Sequence, residues 1–162
     1  MTTEPRIERI TPDNVGAACK LAVRPDQERF VAPVAFSLAE AYVHPDVAWP
    51  RLVYDGADPV AFVMGAFDPG ADIDFFRCGI WRLNVAGDKQ GRGYGRFAVQ
   101  AVLDEARARG QQRATVLWVP GEGGPEEFYL KLGFRPTGQE FHGELVGEIL
   151  LDGDPGVIHS KR

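Results

Sequence analysis

The chain has 162 residues, 44% of them apolar and 25% charged, with a formal net charge of −5. That size suits a single domain spanning 1–162. The acidic balance argues against a nucleic-acid partner and is compatible with a cationic one. No stretch approaches the roughly 20 apolar residues that cross a bilayer, so no membrane partner is expected.

The first ten residues, "MTTEPRIERI", carry Glu4 and no apolar signal core, which makes the cytoplasm the expected compartment. Cys19 and Cys78 form no CxxC, and His44, His142 and His159 form no HExxH, so neither a metal nor a disulfide framework is expected.

In chain order, "RIERI" (6–10) reads as a short strand. Thr11 then offers an N-cap with Pro12 at the first helical position, which predicts a helix through about Val23. "RPDQERFVAP" is a turn-rich connection. Ser37 and Glu40 stand at capping-box spacing, so a second helix is expected to start at Ser37, followed by a loop between Pro45 and Pro50. Strands are expected at "RLVYD" (51–55) and "PVAFVMGAF" (59–67). A third, "IDFFRCGIWRLNV" (73–85), is long enough to imply a bend or bulge. A helix over 93–109 buries Tyr94, Phe97, Ala98, Ala101, Val102 and Ala106 on one face. "ATVLWVP" (114–120) has the continuous apolarity of a central strand. "PEEFYLKLG" is a short helix between Pro125 and Gly133, and "FRPTG" and "GELVGEILL" add two strands. The order predicts an α/β (α+β) domain with a mixed sheet and helices on its faces. The tail 152–162 is expected to be loosely ordered.

The stretch "KQGRGYGRFAVQAVL" (89–103) sets Gly91, Gly93 and Gly95 at the start of the predicted helix. It is neither GxGxxG nor a Walker loop, since no Lys-Ser or Lys-Thr pair follows. Free N–H groups at a helix N-terminus, open glycines and Arg92 and Arg96 together make an anion site. Taken alone, the stretch reads equally well as a glycine-rich turn that only starts a helix.

Its context decides. "QGRGYG" (90–95) resembles the Q/R-x-x-G-x-G/A loop of the GCN5-related N-acetyltransferase (GNAT) superfamily, and stands between the fourth strand and third helix, as in that family. "FYLKLGF" (128–134) resembles the family's "LYEKLGF", and the element order fits from Arg6 to Leu151. Residues 26–56 and "TGQEFHGELV" (137–146) are similar to bacterial diamine and polyamine N-acetyltransferases of the spermine/spermidine type. The resemblance implies a mostly antiparallel sheet of six or seven strands with about four helices, splayed between strands four and five. It implies acetyl-CoA as co-substrate, a small-molecule amine as acceptor, and no metal. A homodimer is entertained because dimers are common in such folds.

By the same resemblance, Gln90, Gly91, Arg92, Gly93, Gly95 and Arg96 hold the pyrophosphate of coenzyme A. Leu83 and Val85 pair with pantetheine as an added strand would. Tyr129 takes the position of the family's general-acid tyrosine. Glu28, Glu122 and Glu144 are candidates for the amine side. Trp49, Trp81 and Trp118 read as core. One departure stands out: Glu122 and Pro125 occupy positions where the family has Asn and Ala. An ionised Glu accepts where Asn donates. Glu122 would therefore receive an ammonium, act as a base, or mark altered acyl-CoA binding. The competing expectations are an acetyltransferase acting on an amine-bearing antibiotic, metabolite or protein amino group, and a non-catalytic acyl-CoA-binding domain.

Overall fold

The computed structural model describes residues 4–151. Its elements are β1 (Arg6–Arg9), α1 (Val15–Lys20), α2 (Val34–Val43), β2 (Ala48–Asp55), β3 (Asp58–Phe67), β4 (Cys78–Val85), α3 (Tyr94–Ala108), β5 (Arg113–Trp118), α4 (Glu126–Leu132), β6 (Arg135–Phe141) and β7 (Glu144–Leu150). Short 3-10 turns lie at Pro25–Phe30, Asp74–Phe76 and Gly87–Lys89. The strands form one seven-stranded sheet in the order β1-β2-β3-β4-β5-β7-β6. Every pair is antiparallel except β4 with β5. This is the expected mixed, mostly antiparallel architecture with four helices.

Strand alternation divides the core between two faces. On one face Val53, Val63, Ile80, Val116 and Trp118 meet Ala98, Val99, Val102 and Ala106 of α3, with Tyr129 of α4. On the other, Leu52, Phe62 and Met64 meet Ala18, Leu21 and Val34 from the α1–α2 side. Each large apolar side chain so buried contributes about 1.5–3 kcal/mol.

Several boundaries differ from expectation for local reasons. α1 starts at Val15, because Asn14 forms a turn ahead of it. The Asn14 side chain accepts from the Thr11 N–H at 2.7 Å and donates to the Arg9 carbonyl at 2.9 Å. The helix ends at Lys20, with Leu21 already extended. α2 starts at Val34 behind Pro33, so Ser37 is a buried residue within it and caps nothing. Glu40 ion-pairs with Arg82 at 2.7 Å instead. β2 begins at Ala48 and runs through Pro50. The β1 pairing stops at Arg9–Arg51, so the missing N–H of Pro50 breaks no bond to β1. The long 73–85 segment resolves into the Asp74–Phe76 turn and β4. A register shift against Met64 and Gly65 leaves Trp81 as the extra residue. The tail expectation for 152–162 lies outside the described residues.

The feature that positions the site is the junction of β4 and β5. They pair at only Gly79–Thr115 and Ile80–Val116 before diverging. Close approach at this junction needs a glycine. A β-carbon on Gly79 would lie 2.1 Å from the Thr115 carbonyl oxygen, and Thr115 is fixed by a 2.6 Å hydrogen bond from its hydroxyl to the Phe75 carbonyl. Gly79→Ala is therefore expected to cost about 3 kcal/mol or more, as overpacking against rigid backbone does. Gly16→Ala, in α1 with nothing near, should stabilise by about 0.5–1 kcal/mol. Urea unfolding of the two variants checks both signs.

Candidate active site

Where β4 and β5 part, backbone is left without a strand to pair with. The Ala86 N–H donates to the Val60 carbonyl at 2.9 Å, which makes Ala61–Val85 a non-hydrogen-bonded pair. By alternation, the amides and carbonyls of Leu83 and Val85 point away from β3, into the gap. The Val85 carbonyl is held there by Gln90 Nε2 at 3.1 Å. Leu83 and Val85 thus line a cavity of about 1030 Å³ that the gap opens into.

At one end of the cavity the glycine loop meets α3. Gly91 (φ 78°) and Gly93 (φ 89°) take the left-handed conformation, and Gly93 is the N-cap. The first helical bond runs from the Phe97 N–H to the Gly93 carbonyl at 3.0 Å. The amides of Tyr94, Gly95 and Arg96 therefore have no partner within the helix. No side chain caps them and no acid stands in the first turn. A β-carbon on Gly91 or Gly93 would meet nothing within 4 Å, so there is open space in front of these donors. Lys89 and Arg96 flank it. Open glycines, free amides, a helix dipole and two cations fit the pyrophosphate of coenzyme A.

Gly95 plays a different part. A β-carbon there would lie 3.1 Å from the Phe128 ring and 3.4 Å from Val85, so this glycine lets α3 pack on α4 and β4. Tyr94 anchors the loop from behind, its hydroxyl hydrogen-bonded to the Asp55 carboxylate. That bond, with burial and the Asp55 charge, holds the phenol above its ordinary pKa, while Arg92 opposes the shift. Arg92 thus stands beside Tyr94 and is not among the residues lining the cavity.

The turn-rich connection that carries Glu28 forms a wall of the same cavity. In the Pro25–Phe30 turn, Gln27 caps its own start by accepting from the Arg24 N–H at 3.1 Å. Gln27 and Gln90 then exchange side-chain amide hydrogen bonds of 2.8 and 2.6 Å. Arg29 donates to the Glu122 carbonyl at 3.0 Å, and the Phe30 ring packs so closely that a β-carbon on Gly124 would lie 2.9 Å from it. Gln90 therefore lines the cavity with its side chain spent on protein contacts. The sequence gives no sign of these links, which join residues 63 and 93 positions apart.

Tyr129, on α4, lines the cavity near its apolar floor. Its ring is stacked on Trp118 (5.8 Å between centroids, 14°) and edge-on to Phe128 (5.0 Å) and Phe134 (5.6 Å). Trp118 fits because Gly147 opposite has no side chain; a β-carbon there would stand 2.4 Å from the indole. Burial raises the Tyr129 pKa well above its ordinary value, so the phenol keeps its proton. Among the described residues its hydroxyl has no hydrogen-bond partner.

Of the acidic candidates, Glu28 and Glu144 line the cavity, and neither has an ion-pair partner among the described residues. Glu122 has an exposed side chain outside the lining and contributes its carbonyl to Arg29. Arg29, Arg82 and Lys131 also face the cavity. Trp81 and Trp118, expected as core, form part of its wall as well. Among the described residues no group of three or more His, Cys, Asp and Glu is placed to hold a metal ion, and no helix is long and apolar enough to cross a membrane.

The geometry agrees with what comparison with known proteins finds. No curated protein sequence matches the chain. Among solved structures, an acetyltransferase from Thermus thermophilus is 20% identical with a TM-score of 0.71, covering 93% of this chain and 100% of its own. The PaiA N-acetyltransferase from Thermoplasma acidophilum, solved with coenzyme A, is 10% identical with a TM-score of 0.67, over 90% and 98%. The ribosomal-protein-S18-alanine N-acetyltransferase from Escherichia coli is 14% identical with a TM-score of 0.66, over 97% and 100%. At such identities these likenesses concern the fold. The family model described as "Acetyltransferase (GNAT) family" matches residues 19–134, more than two thirds of the sequence, and the chain therefore belongs to the GNAT acetyltransferase family.

Proposed function

We propose that this acetyl-CoA-dependent acetyltransferase acts on a primary amine of a small molecule, a diamine or polyamine, with Tyr129 as the proton-holding group at the reacting centre. The observation that carries the reading is the Tyr129 phenol: buried, protonated and without a protein partner on the wall of the cavity opened by the parted strands. Acetyl-CoA, when bound, supplies an activated acetyl carbon and a sulfur leaving group.

The chain's own groups account for the rest. The α3 amides with Gly91 and Gly93 would hold the pyrophosphate, and the gap-facing backbone of Leu83 and Val85 would hold the pantetheine arm as an added strand. Arg96 and Lys89 add charge at the phosphate end. An ammonium must lose a proton to attack, and the leaving sulfur must gain one. A phenol held above its ordinary pKa of about 10 does not surrender its proton outright to a thiolate whose conjugate acid is near 8.5. Tyr129 would instead donate a hydrogen bond that strengthens as charge gathers on sulfur; one ammonium proton would leave to water before attack, and the second, carried on the nitrogen through attack, would end on sulfur.

For the acceptor, the resemblance to polyamine acetyltransferases is supported by Glu28 and Glu144, two cavity carboxylates free to meet ammonium groups. A second reading is an acceptor carrying an anionic group. Arg29, Arg82 and Lys131 on the same walls favour it, although Glu40 already answers Arg82. Thiol release from acetyl-CoA with a panel of diamines, monoamines and amino acids separates the two.

Tyr129→Phe keeps the ring in its stack and removes the donor. Turnover should fall about 10²–10³-fold, the usual contribution of one preorganised hydrogen-bond donor, with acetyl-CoA affinity and melting temperature nearly unchanged. Because the raised pKa keeps Tyr129 protonated through mildly alkaline pH, the ratio of wild-type to variant rate should stay constant between about pH 7 and 9.5. A turnover within about threefold of wild type removes Tyr129 from the chemistry.

Gly93→Asp places a carboxylate in front of the α3 amides, in open space but at a left-handed backbone (φ 89°) that costs Asp some strain. Calorimetry should show coenzyme A binding lost while the fold persists. Gly95→Asp should unfold or loosen the protein as well, because Phe128 occupies the space. Coenzyme A binding to Gly93→Asp at wild-type strength would misplace the cofactor site.

On the acceptor side, Glu28→Gln and Glu144→Gln should raise KM for a diamine more than for a neutral-tailed monoamine. Glu122→Gln, outside the lining, should leave both unchanged. Equal effects on both amines from Glu28→Gln and Glu144→Gln would count against an acidic polyamine subsite.

A further inference from the structure

A second cavity, of about 430 Å³, lies on the α3 face of the sheet beyond the far end of α3. It is separate from the cleft: α3 has 15 residues, or about 22 Å of helix, with the glycine loop at its start and Arg109 at its C-cap. The walls come from three elements. Arg9 and Ile10 lie on β1 and just after it, Trp49, Pro50 and Arg51 on β2, and Glu105 and Arg109 at the end of α3.

The charge here runs against that of the chain. The protein is net acidic, yet this cavity has three arginines and a single carboxylate. Arg9 and Arg51 stand directly opposite one another in the β1–β2 register, on the same face. Like charges so placed are destabilising. Arg109 reaches the same cavity from the helix.

The one carboxylate does not neutralise the group. Glu105 is committed to Arg109 at 2.9 Å. Arg51 donates to the adjacent Pro50 carbonyl at 2.8 Å and stacks on Trp49, 4.1 Å from its centroid, so its head is fixed toward the cavity without an acidic partner. Among the described residues the Arg9 guanidinium has no ion-pair partner. Burial, and after it the nearby charge of Arg9, make Arg51 less ready to hold its proton than an ordinary arginine; Glu105 opposes the shift and Arg109 adds to it.

We propose that this cavity is a binding site for a multiply charged oxyanion, a phosphate or polycarboxylate group of a small metabolite, held by Arg9, Arg51 and Arg109. Guanidinium forks offered by two adjacent strands and a helix end suit an oxyanion, and the volume admits more than a bare ion. The site is independent of the acetyl-transfer cleft and of the acceptor's identity.

Calorimetric titration and thermal unfolding with inorganic phosphate and with citrate test it, on wild type, Gly93→Asp, Arg9→Gln and Arg51→Gln. The Gly93→Asp variant blocks the other anion site. The expected result is saturable binding of phosphate or citrate that survives Gly93→Asp and weakens about tenfold or more in both arginine variants. Which probe binds better assigns the phosphoryl or carboxylate class. Arg9→Gln should also melt at or above wild type without the anion, since it relieves a like-charge pair, and below wild type with it. Three results overturn the proposal: binding abolished by Gly93→Asp but indifferent to the arginines, no saturable binding at millimolar concentration, or an Arg9→Gln variant destabilised equally with and without anion.

Discussion

A sheet that separates in its middle leaves polar backbone groups that water or a ligand must satisfy, since buried orphans of this kind are costly. β4 and β5 hold together at two residue pairs and then diverge, and the rest of the site is arranged around that gap. Gly79 and Thr115 fix the point of divergence. The edge of β4 supplies main-chain donors and acceptors on one side, and the glycine loop supplies more at the start of α3. Much of the binding surface is thus backbone that regular structure has left over. The side chains contributed by the helices and the Pro25–Phe30 turn chiefly decide how the gap is walled.

Tyr129 ties this surface to stability. Its ring belongs to the same packed cluster as Trp118 and Phe134, and that packing drives water away from the hydroxyl and raises its pKa. The group proposed to act on the leaving sulfur is therefore held by the core itself. Precision at the hydroxyl comes from aromatic stacking and from Gly147, which gives the indole its space. A substitution at Gly147, which does not line the cavity, can therefore reach the Tyr129 hydroxyl through Trp118.

Much of the architecture was legible in the sequence because it rests on local rules. Strand alternation, the Pro125 and Gly133 boundaries of α4, and the glycines that need left-handed backbone are all written in neighbouring residues. Misreadings occurred where two local rules competed. Thr11-Pro12 read as a helix start, yet Asn14 closed a turn first. Ser37 and Glu40 have capping-box spacing, yet Pro33 started the helix a turn earlier and Glu40 found Arg82. A β-carbon on Gly91 or Gly93 would meet open space, whereas Gly95, identical on paper, packs against Phe128. Arg92, expected at the pyrophosphate, has its side chain beside Tyr94. Glu122 sits in the right loop with its side chain turned outward. The contacts that wall the cleft, Gln27 with Gln90 and Arg29 with the Glu122 carbonyl, join distant segments. No local pattern announces them.

The exchange of hydrogen bonds between Gln27 and Gln90 has a consequence for time scales. It couples the wall segment to the loop that presents the amides, so neither can move freely without breaking two side-chain bonds. At about 0.5–1.5 kcal/mol each, the closed arrangement outweighs the opened one by about an order of magnitude or more. Uncovering the cleft from that side is then a minority event, and the dwell time of a bound nucleotide depends partly on how often the two amides let go. The same two glutamines thus slow traffic across that wall in both directions.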